Sequence, residues 1–447
     1  MVTILIVGAG KSSTFLIESM LKFTQRKSAP WKVIVADSDE ESLKNKVKHF
    51  PNGEIAVFDV TNERERQALV KRADIVLSLM PPHLHILLAK DCLQFHKHLI
   101  TSSYVSDEMK ELDKAAKEAG LMFLCEMGLD PGLDHMSASL LFDSIHRVNC
   151  EVISFKSYCG GLVAPESDDN PWHYKFSWNP INIINAGKDG ARFLEGGTPI
   201  EVGYHDMFAH EKHITCEGVG DLAYYPNRDS LDYIHKYNLH YVKDFMRATL
   251  RHPDFCKGWN ALVAMGVTDN AVLHDTAALT EEEWIKTVVG YDNTNISLRD
   301  FTFDKYDIRN PQIQKMIDWL GFFTDTRLNI GLRSSGEILL DVLKQKWAMK
   351  PEDKDMVVMQ HEVEYAHPEK SEICKLKSSM VVVGDDNEHS AMAKTVGLPM
   401  AIAAELLAFK LIKPLHGVII PTNAEVYKPV LNRLEKKGLF FNEVVKS

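Results

Sequence analysis

The chain opens with the run Val2-Thr3-Ile4-Leu5-Ile6-Val7-Gly8-Ala9-Gly10-Lys11-Ser12-Ser13, after which apolar residues recur with helical spacing from Phe15 to Leu21. A β-branched strand, a glycine turn and a helix N-terminus in this order form the phosphate cradle of dinucleotide-binding folds, because glycine lets backbone amides approach a pyrophosphate. Ser13 replaces the third glycine of the G-x-G-x-x-G pattern, which weakens the motif. A second strand restores the context, because it ends at Asp37, whose carboxylate can accept hydrogen bonds from a ribose diol. The predicted contacts of the dinucleotide in this region are Gly8, Gly10, Lys11, Ser12, Ser13 and Asp37.

The same loop admits two other interpretations. Gly10-Lys11-Ser12 imitates the end of a P-loop, but that pattern requires a glycine where Leu5 stands inside the strand, which argues against a nucleoside-triphosphate cradle. A strand-to-helix turn that binds no ligand is the second alternative. Asp37 bears on the choice of dinucleotide, because its charge would repel a 2′-phosphate and the next four residues are a serine and three acidic residues. We therefore predict NAD as the cofactor, with NADP as the alternative.

The composition is that of a soluble globular protein: 447 residues, 45% hydrophobic and 25% charged, with a formal net charge of -11. This length predicts two or three domains, and the negative charge argues against nucleic acid or an anionic membrane as the main partner. The seven cysteines form no CxxC pair, and their odd number is typical of free thiols in a reducing compartment. Met1 runs directly into the first strand and leaves no room for a signal peptide, so we expect a cytoplasmic location.

Strand and helix patterns alternate along the first part of the chain. After Asp37 the sequence predicts strands at 55–57, 74–80, 98–101 and 121–125, with helices at 63–72, 84–94 and 107–119 between them. This alternation predicts a doubly wound parallel sheet, whose ligands bind beyond the carboxyl ends of the strands. The candidate contacts at those ends are Asp59, Val60, Met80, Pro81, Ser102, Ser103, Tyr104, Leu129 and Asp130.

The pattern changes after residue 151. Strands at 152–157 and 362–365 alternate in polarity, as in a sheet with one exposed face, and 380–383 is predicted to be a short buried strand. The stretch 160–180 follows neither period but contains Gly, Pro, Asp and Trp, which is typical of an active-site loop. A long amphipathic helix is predicted over 390–409. We interpret the chain as a dinucleotide-binding domain (1–127), an inserted substrate domain (128–387) and a C-terminal segment (388–447) that returns to the first domain.

Several residues could carry chemistry. Asp130 precedes Pro131, which holds it extended and is well placed to begin a helix, so Asp130 is either a site residue or a helix cap. Cys159 lies beside paired glycines, although a lone cysteine is more often a packing residue than a nucleophile. Arg228, in a proline-asparagine turn, could clamp a carboxylate, although surface arginines usually only face solvent. Two HxH spacings, at 83–85 and 96–98, lack a nearby third ligand, so we predict no metal site.

The chain resembles saccharopine dehydrogenase of the L-glutamate-forming type, also called saccharopine reductase, in the segments TSSYVS (101–106), GLDPGLDH (128–135), SYCGGLVAPESDDNPWHYKFSW (157–178), YPNRDS (225–230) and HSAMAKTVGLP (389–399). The resemblance implies an α/β fold in which a Rossmann doubly wound parallel sheet is interrupted by an inserted α+β catalytic and dimerisation domain. It also implies a homodimer in which a pyridine nucleotide oxidises saccharopine to glutamate and 2-aminoadipate 6-semialdehyde.

The family's contacts are carried over residue by residue. Its substrate contacts fall on Ser103, Tyr104, Asp130, Arg228, Thr249, Leu250 and Arg251. Its dinucleotide contacts fall on Gly10, Lys11, Ser12, Ser13, Asp37, Asp59, Val60, Leu79, Met80, Pro81, Ser102, Ser103, Leu129, Asp130, Pro131 and Trp178. The fungal members of the family, which use NADP, look to have an arginine just after the second strand. At that place this chain has acidic and small residues around Asp37. That departure favours NAD.

The resemblance fits the chemistry of the residues. Saccharopine is a secondary amine with three carboxylates, so Arg228, Arg251 and Lys175 are candidates to compensate its charge. Hydride loss gives an imine, and its hydration and collapse require proton transfer, for which the candidate catalytic groups are Asp130, Tyr104 and Cys159. Bound water or the substrate amine are alternative bases. Two other functions stay open: a carboxynorspermidine-type imine reductase of polyamine synthesis, and a catalytically inactive dinucleotide-binding sensor. A lysine-forming saccharopine dehydrogenase would have a different set of motifs.

Overall fold

The computed structural model describes residues 2–26, 31–209, 211–292, 295–367, 369, 372–413 and 415–446. The chain divides into two compact units, the first comprising Met1–Val152 and Tyr365–Ser447 and the second Ile153–Glu364. The second unit is therefore inserted into the first, and it is shorter at both ends than the inserted domain expected at 128–387. The helix at Leu133–His146 and the strand at Ile373–Val383 both lie in the first unit.

The first unit begins with alternating strands and helices. Its strands in this part are β1 (Thr3–Val7), β2 (Lys32–Asp37), β3 (Glu54–Val57), β4 (Ile75–Ser78), β5 (His98–Thr101) and β6 (Met122–Leu124). Its helices are α1 (Thr14–Thr24), α2 (Glu40–Val47), α3 (Glu63–Arg72), α4 (His85–Gln94), α5 (Asp107–Glu111), α6 (Asp113–Glu118) and α7 (Leu133–His146). Polar side chains accept hydrogen bonds from first-turn amides at three of these helix starts, at Asp39, Asn62 and Ser106.

Two predicted helix boundaries in this part are wrong. The single helix predicted over 107–119 is two helices, because the amide of Leu112 bonds back only three residues, to Met109, and interrupts the regular ladder. Pro131 does not begin α7, which starts at Leu133 with Gly132 as its N-cap. Gly132 has φ 144°, and a Cβ there would lie 2.3 Å from the Gly128 carbonyl oxygen, so the loop before the helix can close only on glycine.

The second unit combines strands with helices. Its strands are β7 (Glu151–Val163), β8 (Ala191–Glu195), β9 (Thr198–Val202), β10 (Lys212–Cys216), β11 (Gly220–Pro226), β12 (Arg228–Asp229), β13 (Asp244–Arg251), β14 (Leu273–Asp275), β15 (Leu332–Ser334) and β16 (Asp355–Ala366). Its helices are α8 (Ile181–Ile184), α9 (Asp232–Lys236), α10 (Pro253–Met265), α11 (Glu281–Val289), α12 (Leu298–Lys305), α13 (Pro311–Leu320) and α14 (Ser335–Lys346).

The sheet of the second unit is mixed. Its strands follow the order β10-β11-β13-β7-β16, with β8, β9 and β12 attached beside β13. The pair β11 and β13 is antiparallel, whereas β13 and β7 run parallel. The glycines after Cys159, which we expected to open a loop, lie inside β7. A Cβ on Gly160 would lie 2.7 Å from the Leu250 carbonyl oxygen, so this glycine is required by the close approach of β13.

The C-terminal part returns to the first unit. It contains β17 (Ile373–Val383), α15 (Ala391–Ala408), β18 (Gly417–Ile419), α16 (Ala424–Glu435) and β19 (Asn442–Lys446). By length and composition α15 could cross a membrane, but 78% of it is buried inside the protein, as in a core helix. Among the described residues, β18 completes a seven-stranded parallel sheet of order β18-β6-β5-β4-β1-β2-β3. The order reverses between β1 and β4, and ligands of such sheets bind beyond the carboxyl ends of the strands at this point.

Candidate active site

The glycine loop lies at the point where the strand order reverses. Gly8 has φ 109°, and a Cβ there would lie 3.1 Å from the backbone of Leu79, so the turn requires glycine. The Asp37 carboxylate, at the end of β2, accepts hydrogen bonds from the amides of Ala9 (2.6 Å) and Asp39 (3.0 Å). A carboxylate has about four lone-pair sites, so Asp37 can still accept a ribose hydroxyl. The rest of the loop is Gly10, which is exposed, and a 3₁₀ turn at Lys11, Ser12 and Ser13 that leads into α1.

The other predicted dinucleotide contacts of the first unit follow its remaining strands. They lie at one edge of the sheet because all of its strands are parallel. Asp59 and Val60 follow β3, Leu79, Met80 and Pro81 follow β4, and Ser102 and Ser103 follow β5. This arrangement fits a dinucleotide, because a glycine loop, a helix start and an acidic ribose partner occur together at the reversal of the strand order.

Tyr104 and Asp130 meet beyond the ends of β5 and β6. The Tyr104 hydroxyl donates a hydrogen bond to Asp130 Oδ1 at 2.9 Å, and both residues are half-buried. Asp130 belongs to a loop in which Leu129 and Pro131 are buried and the peptide bond between Asp130 and Pro131 is cis. Because a phenol and a carboxylate share a hydrogen bond here, the pair can hold or pass a proton.

The sequence suggested for His85 only a role as a possible metal ligand. It is buried in α4, and its two ring nitrogens contact the hydroxyls of Ser78 (2.7 Å) and Ser103 (2.9 Å). Burial, and to a smaller extent the nearby His83, lowers the pKa of His85 from 6.5 to about 4. The ring is therefore neutral at pH 7, with one nitrogen donating and the other accepting, and it fixes the position of the Ser103 hydroxyl.

In the second unit, Cys159, Thr249, Leu250 and Arg251 come together on neighbouring strands. Thr249 of β13 lies opposite Cys159 of β7 in the parallel register. The buried Arg251 guanidinium donates to the Leu250 carbonyl (2.9 Å) and the Tyr225 hydroxyl (3.2 Å). It also lies between 5.4 and 5.6 Å from the ring centroids of Tyr174, Tyr225 and Phe255.

The charge of Arg251 has no carboxylate to balance it in the part of the chain that the structure describes. No carboxylate oxygen there lies within 4.0 Å of its guanidinium, and its Nε has no hydrogen-bond partner. A buried cation without a counter-charge is unfavourable, so an anion that reaches it is bound strongly. Carboxylates match a guanidinium through two parallel hydrogen bonds. The burial and the unbalanced charge of Arg251 therefore fit the binding of a carboxylate, and its contact with substrate stays a prediction.

The other predicted contacts of this unit have partners within it. Lys175 Nζ lies 2.7 Å from Asp353 and 2.9 Å from Asp169, so its charge is already balanced. Arg228 is 53% exposed and pairs with Asp189 at 2.9 Å, an exposed ion pair that a substrate carboxylate can replace at little cost. Trp178 Nε1 donates to the Tyr174 hydroxyl at 3.2 Å, which links it to the aromatic surroundings of Arg251.

A histidine cluster of the second unit was also not predicted from the sequence. His173, which has φ 50°, contacts Asp168 Oδ2 through Nδ1 at 2.5 Å, and its ring stacks on His252 at 3.7 Å. Burial lowers the pKa of His252, and the neighbouring His173 lowers it further. His252 follows Arg251 directly in the chain, and that adjacency was the available signal.

Two family models match the chain. The model described as "Saccharopine dehydrogenase NADP binding domain" matches residues 4–124, and the one described as "Saccharopine dehydrogenase C-terminal domain" matches residues 128–439. The first of these matches supports a nicotinamide dinucleotide as the cofactor. The contacts of individual residues with cofactor and substrate stay predictions.

Relatives of two kinds are similar to the chain. Mitochondrial alpha-aminoadipic semialdehyde synthase of Mus musculus is 35% identical over 85% of this chain and 41% of its own length, so the chain spans less than half of that relative. Saccharopine dehydrogenase [NADP(+), L-glutamate-forming] of Pyricularia oryzae is 31% identical over 91% of this chain and 92% of its own. Among solved structures, apo saccharopine dehydrogenase (L-Glu forming) from Saccharomyces cerevisiae matches with a TM-score of 0.87 and 27% identity, covering 100% of both chains. This match confirms the predicted fold class.

Proposed function

We propose that this chain, which belongs to the saccharopine dehydrogenase family, interconverts saccharopine with L-glutamate and L-2-aminoadipate 6-semialdehyde, using a nicotinamide dinucleotide. The observation that carries the proposal is the buried guanidinium of Arg251, which has no carboxylate partner among the described residues. Saccharopine offers three carboxylates, of which one would complete this site. The fungal relative that the chain covers almost completely is named for the same reaction.

The chain's own residues have separate tasks in this reaction. When bound, a nicotinamide dinucleotide would accept the hydride from the carbon beside the secondary amine, and water would add to the resulting imine before the amine leaves. Arg251 holds one substrate carboxylate through two hydrogen bonds and so fixes the orientation of the molecule. Asp130, which accepts a hydrogen bond from Tyr104, can take the proton that the substrate nitrogen loses, and the Tyr104 hydroxyl can return a proton to the leaving amine. The third candidate catalytic group is Cys159, which is buried in the second unit and lies opposite Thr249.

A direct assay tests the proposal. The purified chain is incubated with saccharopine and each of NAD and NADP, and the absorbance of the reduced nicotinamide is followed. We expect turnover of saccharopine and no turnover of carboxynorspermidine with the same cofactor. Oxidation of carboxynorspermidine alone would favour the imine reductase of polyamine synthesis, and dinucleotide binding without turnover of either amine would favour the sensor.

We infer NAD as the preferred dinucleotide from the residues that follow β2. Asp37 and the acidic residues after it provide negative charge where a 2′-phosphate would lie. The names of the matched domain and of the fungal relatives favour NADP. Comparison of kcat/KM for the two cofactors decides the question: we expect NAD to be favoured by about tenfold or more, roughly 1.4 kcal/mol. The variant Asp37→Ser should narrow this ratio, and a wild type that prefers NADP would contradict the inference.

We further propose that the protein works in the cytoplasm as a homodimer. The seven cysteines are free thiols in the structure, which supports a reducing compartment. The dimer rests on the family resemblance, and light scattering of the purified chain tests it, because a monomer at micromolar concentration would contradict it.

A further inference from the structure

Glu126 combines three unusual properties at the end of β6. Its backbone has φ 57°, a conformation that is uncommon for residues other than glycine, and the residue is only 1% exposed. Its carboxylate is nevertheless engaged on both oxygens. Oε1 accepts a hydrogen bond from the Val105 amide at 3.1 Å, and Oε2 lies 2.7 Å from Nε2 of His135. Strained backbone around a buried charge is maintained where the surrounding structure requires it, which is often at functional sites.

His135 extends this contact into the first turn of α7. The residue is completely buried, and its Nδ1 lies 3.5 Å from Oδ2 of Asp134. The other oxygen of Asp134 accepts a hydrogen bond from the Gly132 amide at 2.6 Å. A continuous buried polar chain therefore connects Val105 with Gly132 through Glu126, His135 and Asp134. We call these three side chains the Glu126 network.

The two segments that the Glu126 network connects are the ones that carry Tyr104 and Asp130. Tyr104 immediately precedes Val105, and Asp130 lies between Glu126 and Gly132 in the chain. The segments thus meet twice: through the half-buried hydrogen bond between Tyr104 and Asp130, and through the buried Glu126 network. Hydrogen bonds and proton transfer depend on distances within a few tenths of an ångström. The Glu126 network, by holding the two segments together, therefore restrains the distance between the Tyr104 hydroxyl and the Asp130 carboxylate.

We propose that Glu126 and His135 are positioning residues that hold the Tyr104 hydroxyl and the Asp130 carboxylate in hydrogen-bonding geometry. They act through that pair and do not touch the substrate. The catalytic consequence rests on the proposed function, whereas the geometric consequence does not. A purely structural buried pair would stabilise the fold without changing the coupling between Tyr104 and Asp130.

The first test measures that coupling without any substrate. Tyr104→Phe, Asp130→Ala and the double variant form a double-mutant cycle, with the free energy of unfolding from chemical denaturation as the readout, in the wild type and in the Glu126→Gln background. Glu126→Gln keeps an acceptor for the Val105 amide but removes the charge that faces His135. We expect the two substitutions to be non-additive in the wild type and additive in the Glu126→Gln background. Equal coupling in both backgrounds would overturn the proposal.

The second test measures turnover of saccharopine. Glu126→Gln should lower kcat by tenfold or more while cofactor affinity, from fluorescence titration, stays within twofold. In a Tyr104→Phe background the same substitution should lower kcat by less than threefold, because the geometry that it disturbs is already lost. A kcat for Glu126→Gln within twofold of the wild type, or an equal loss in both backgrounds, would overturn the proposal.

A matched control comes from another buried ion pair of the first unit. Arg66 Nε lies 2.6 Å from Asp91, both side chains are buried, and Asp91 lies in α4, on neither of the two connected segments. Asp91→Asn should lower the denaturation midpoint as Glu126→Gln does, but keep kcat within twofold. His135→Gln is the second variant, expected to reproduce the effect of Glu126→Gln. A wild type without activity toward saccharopine would refute the proposed function alone, because the coupling measured by denaturation still decides the role of Glu126.

Discussion

Lys175 and Arg251 are both buried cations of the second unit, 5% and 4% exposed, but their surroundings differ. Lys175 lies between two carboxylates, those of Asp353 and Asp169. Arg251 has a carbonyl, a phenol and three aromatic rings, and no carboxylate within 4.0 Å among the residues that the structure describes. The same burial therefore gives a balanced charge in one place and an unbalanced charge in the other.

This difference in surroundings distinguishes a charge that stabilises the fold from one that is available to a ligand. A buried ion pair costs desolvation energy that its partners largely repay, so removing one member leaves the other buried and unpaired. An unbalanced buried guanidinium is already unfavourable in the free protein, so its removal should not lower the free energy of unfolding. Loss of Lys175 should therefore act mainly on stability, and loss of Arg251 mainly on activity.

The largest expected effect belongs to Arg251. Arg251→Met keeps most of the side-chain volume but removes the carboxylate-binding group, so kcat/KM for saccharopine should fall by about a thousandfold, roughly 4 kcal/mol. The free energy of unfolding should be unchanged or higher, because an unbalanced buried charge is gone. Arg192→Met, at an exposed arginine with two surface carboxylate partners, is the control and should keep full activity. An active Arg251→Met enzyme would remove Arg251 from the site.

Lys175→Met should produce the reverse result. It leaves Asp353 buried without its cation, so we expect the free energy of unfolding to fall by about 3 kcal/mol, measured by chemical denaturation. Lys350→Met is the matched control, because Lys350 shares the partner Asp169 but is exposed, and its loss should leave the free energy of unfolding almost unchanged. If Lys175→Met were as stable as the wild type but unable to bind saccharopine, Lys175 would be a substrate ligand and the comparison would fail.

His85 extends the comparison to a group that burial keeps neutral. Its pKa is lowered from 6.5 to about 4, so below pH 6.5 the unfolded chain binds a proton that the folded protein does not. This contribution to stability is complete above pH 6.5 and is lost as the pH falls toward 4. Between pH 7 and pH 5 the wild type should lose about 2 kcal/mol relative to His85→Gln. If the wild type and His85→Gln lost the same free energy of unfolding between pH 7 and pH 5, the assignment would be contradicted.

Asp130 gives the smallest expected effect. Asp130→Asn keeps the shape and an acceptor for the Tyr104 hydroxyl, so the melting temperature should hardly change. If the charge of Asp130 takes part in proton transfer, kcat should fall by about tenfold, roughly 1.4 kcal/mol. A stable and fully active Asp130→Asn enzyme would leave Asp130 only a role in the loop before α7.

Local patterns in the sequence were sufficient for much of the first unit. The helix predicted at 63–72 is α3 with the same bounds, and the predicted strand at 98–101 is β5. The helix predicted over 390–409 is α15 within one residue at each end. These predictions succeeded because buried strands and amphipathic helices repeat their apolar residues at fixed short intervals. The break at Leu112 was not predictable, because it depends on one three-residue hydrogen bond.

The second unit was harder to predict, since its strands pair over long distances. The end of β7 was interpreted as part of a loop at 160–180, because that stretch follows neither period. Gly160 instead lies inside the strand, where Leu250, ninety residues later in the chain, leaves no room for a side chain. Resemblance to the family directed attention to Arg251, Thr249 and Cys159. It carried no information on which cations already have partners.

The sequence by itself determined the parallel sheet, the glycine loop at its reversal point and the acidic residue at the end of β2, because each is encoded within a few consecutive residues. Tertiary structure alone decided which charges are balanced. Lys175 meets Asp353 across 178 positions, and Glu126 meets the Val105 amide across 21. Such pairings follow from the path of the whole backbone, so the function of a buried charge depends on which distant groups the fold places beside it.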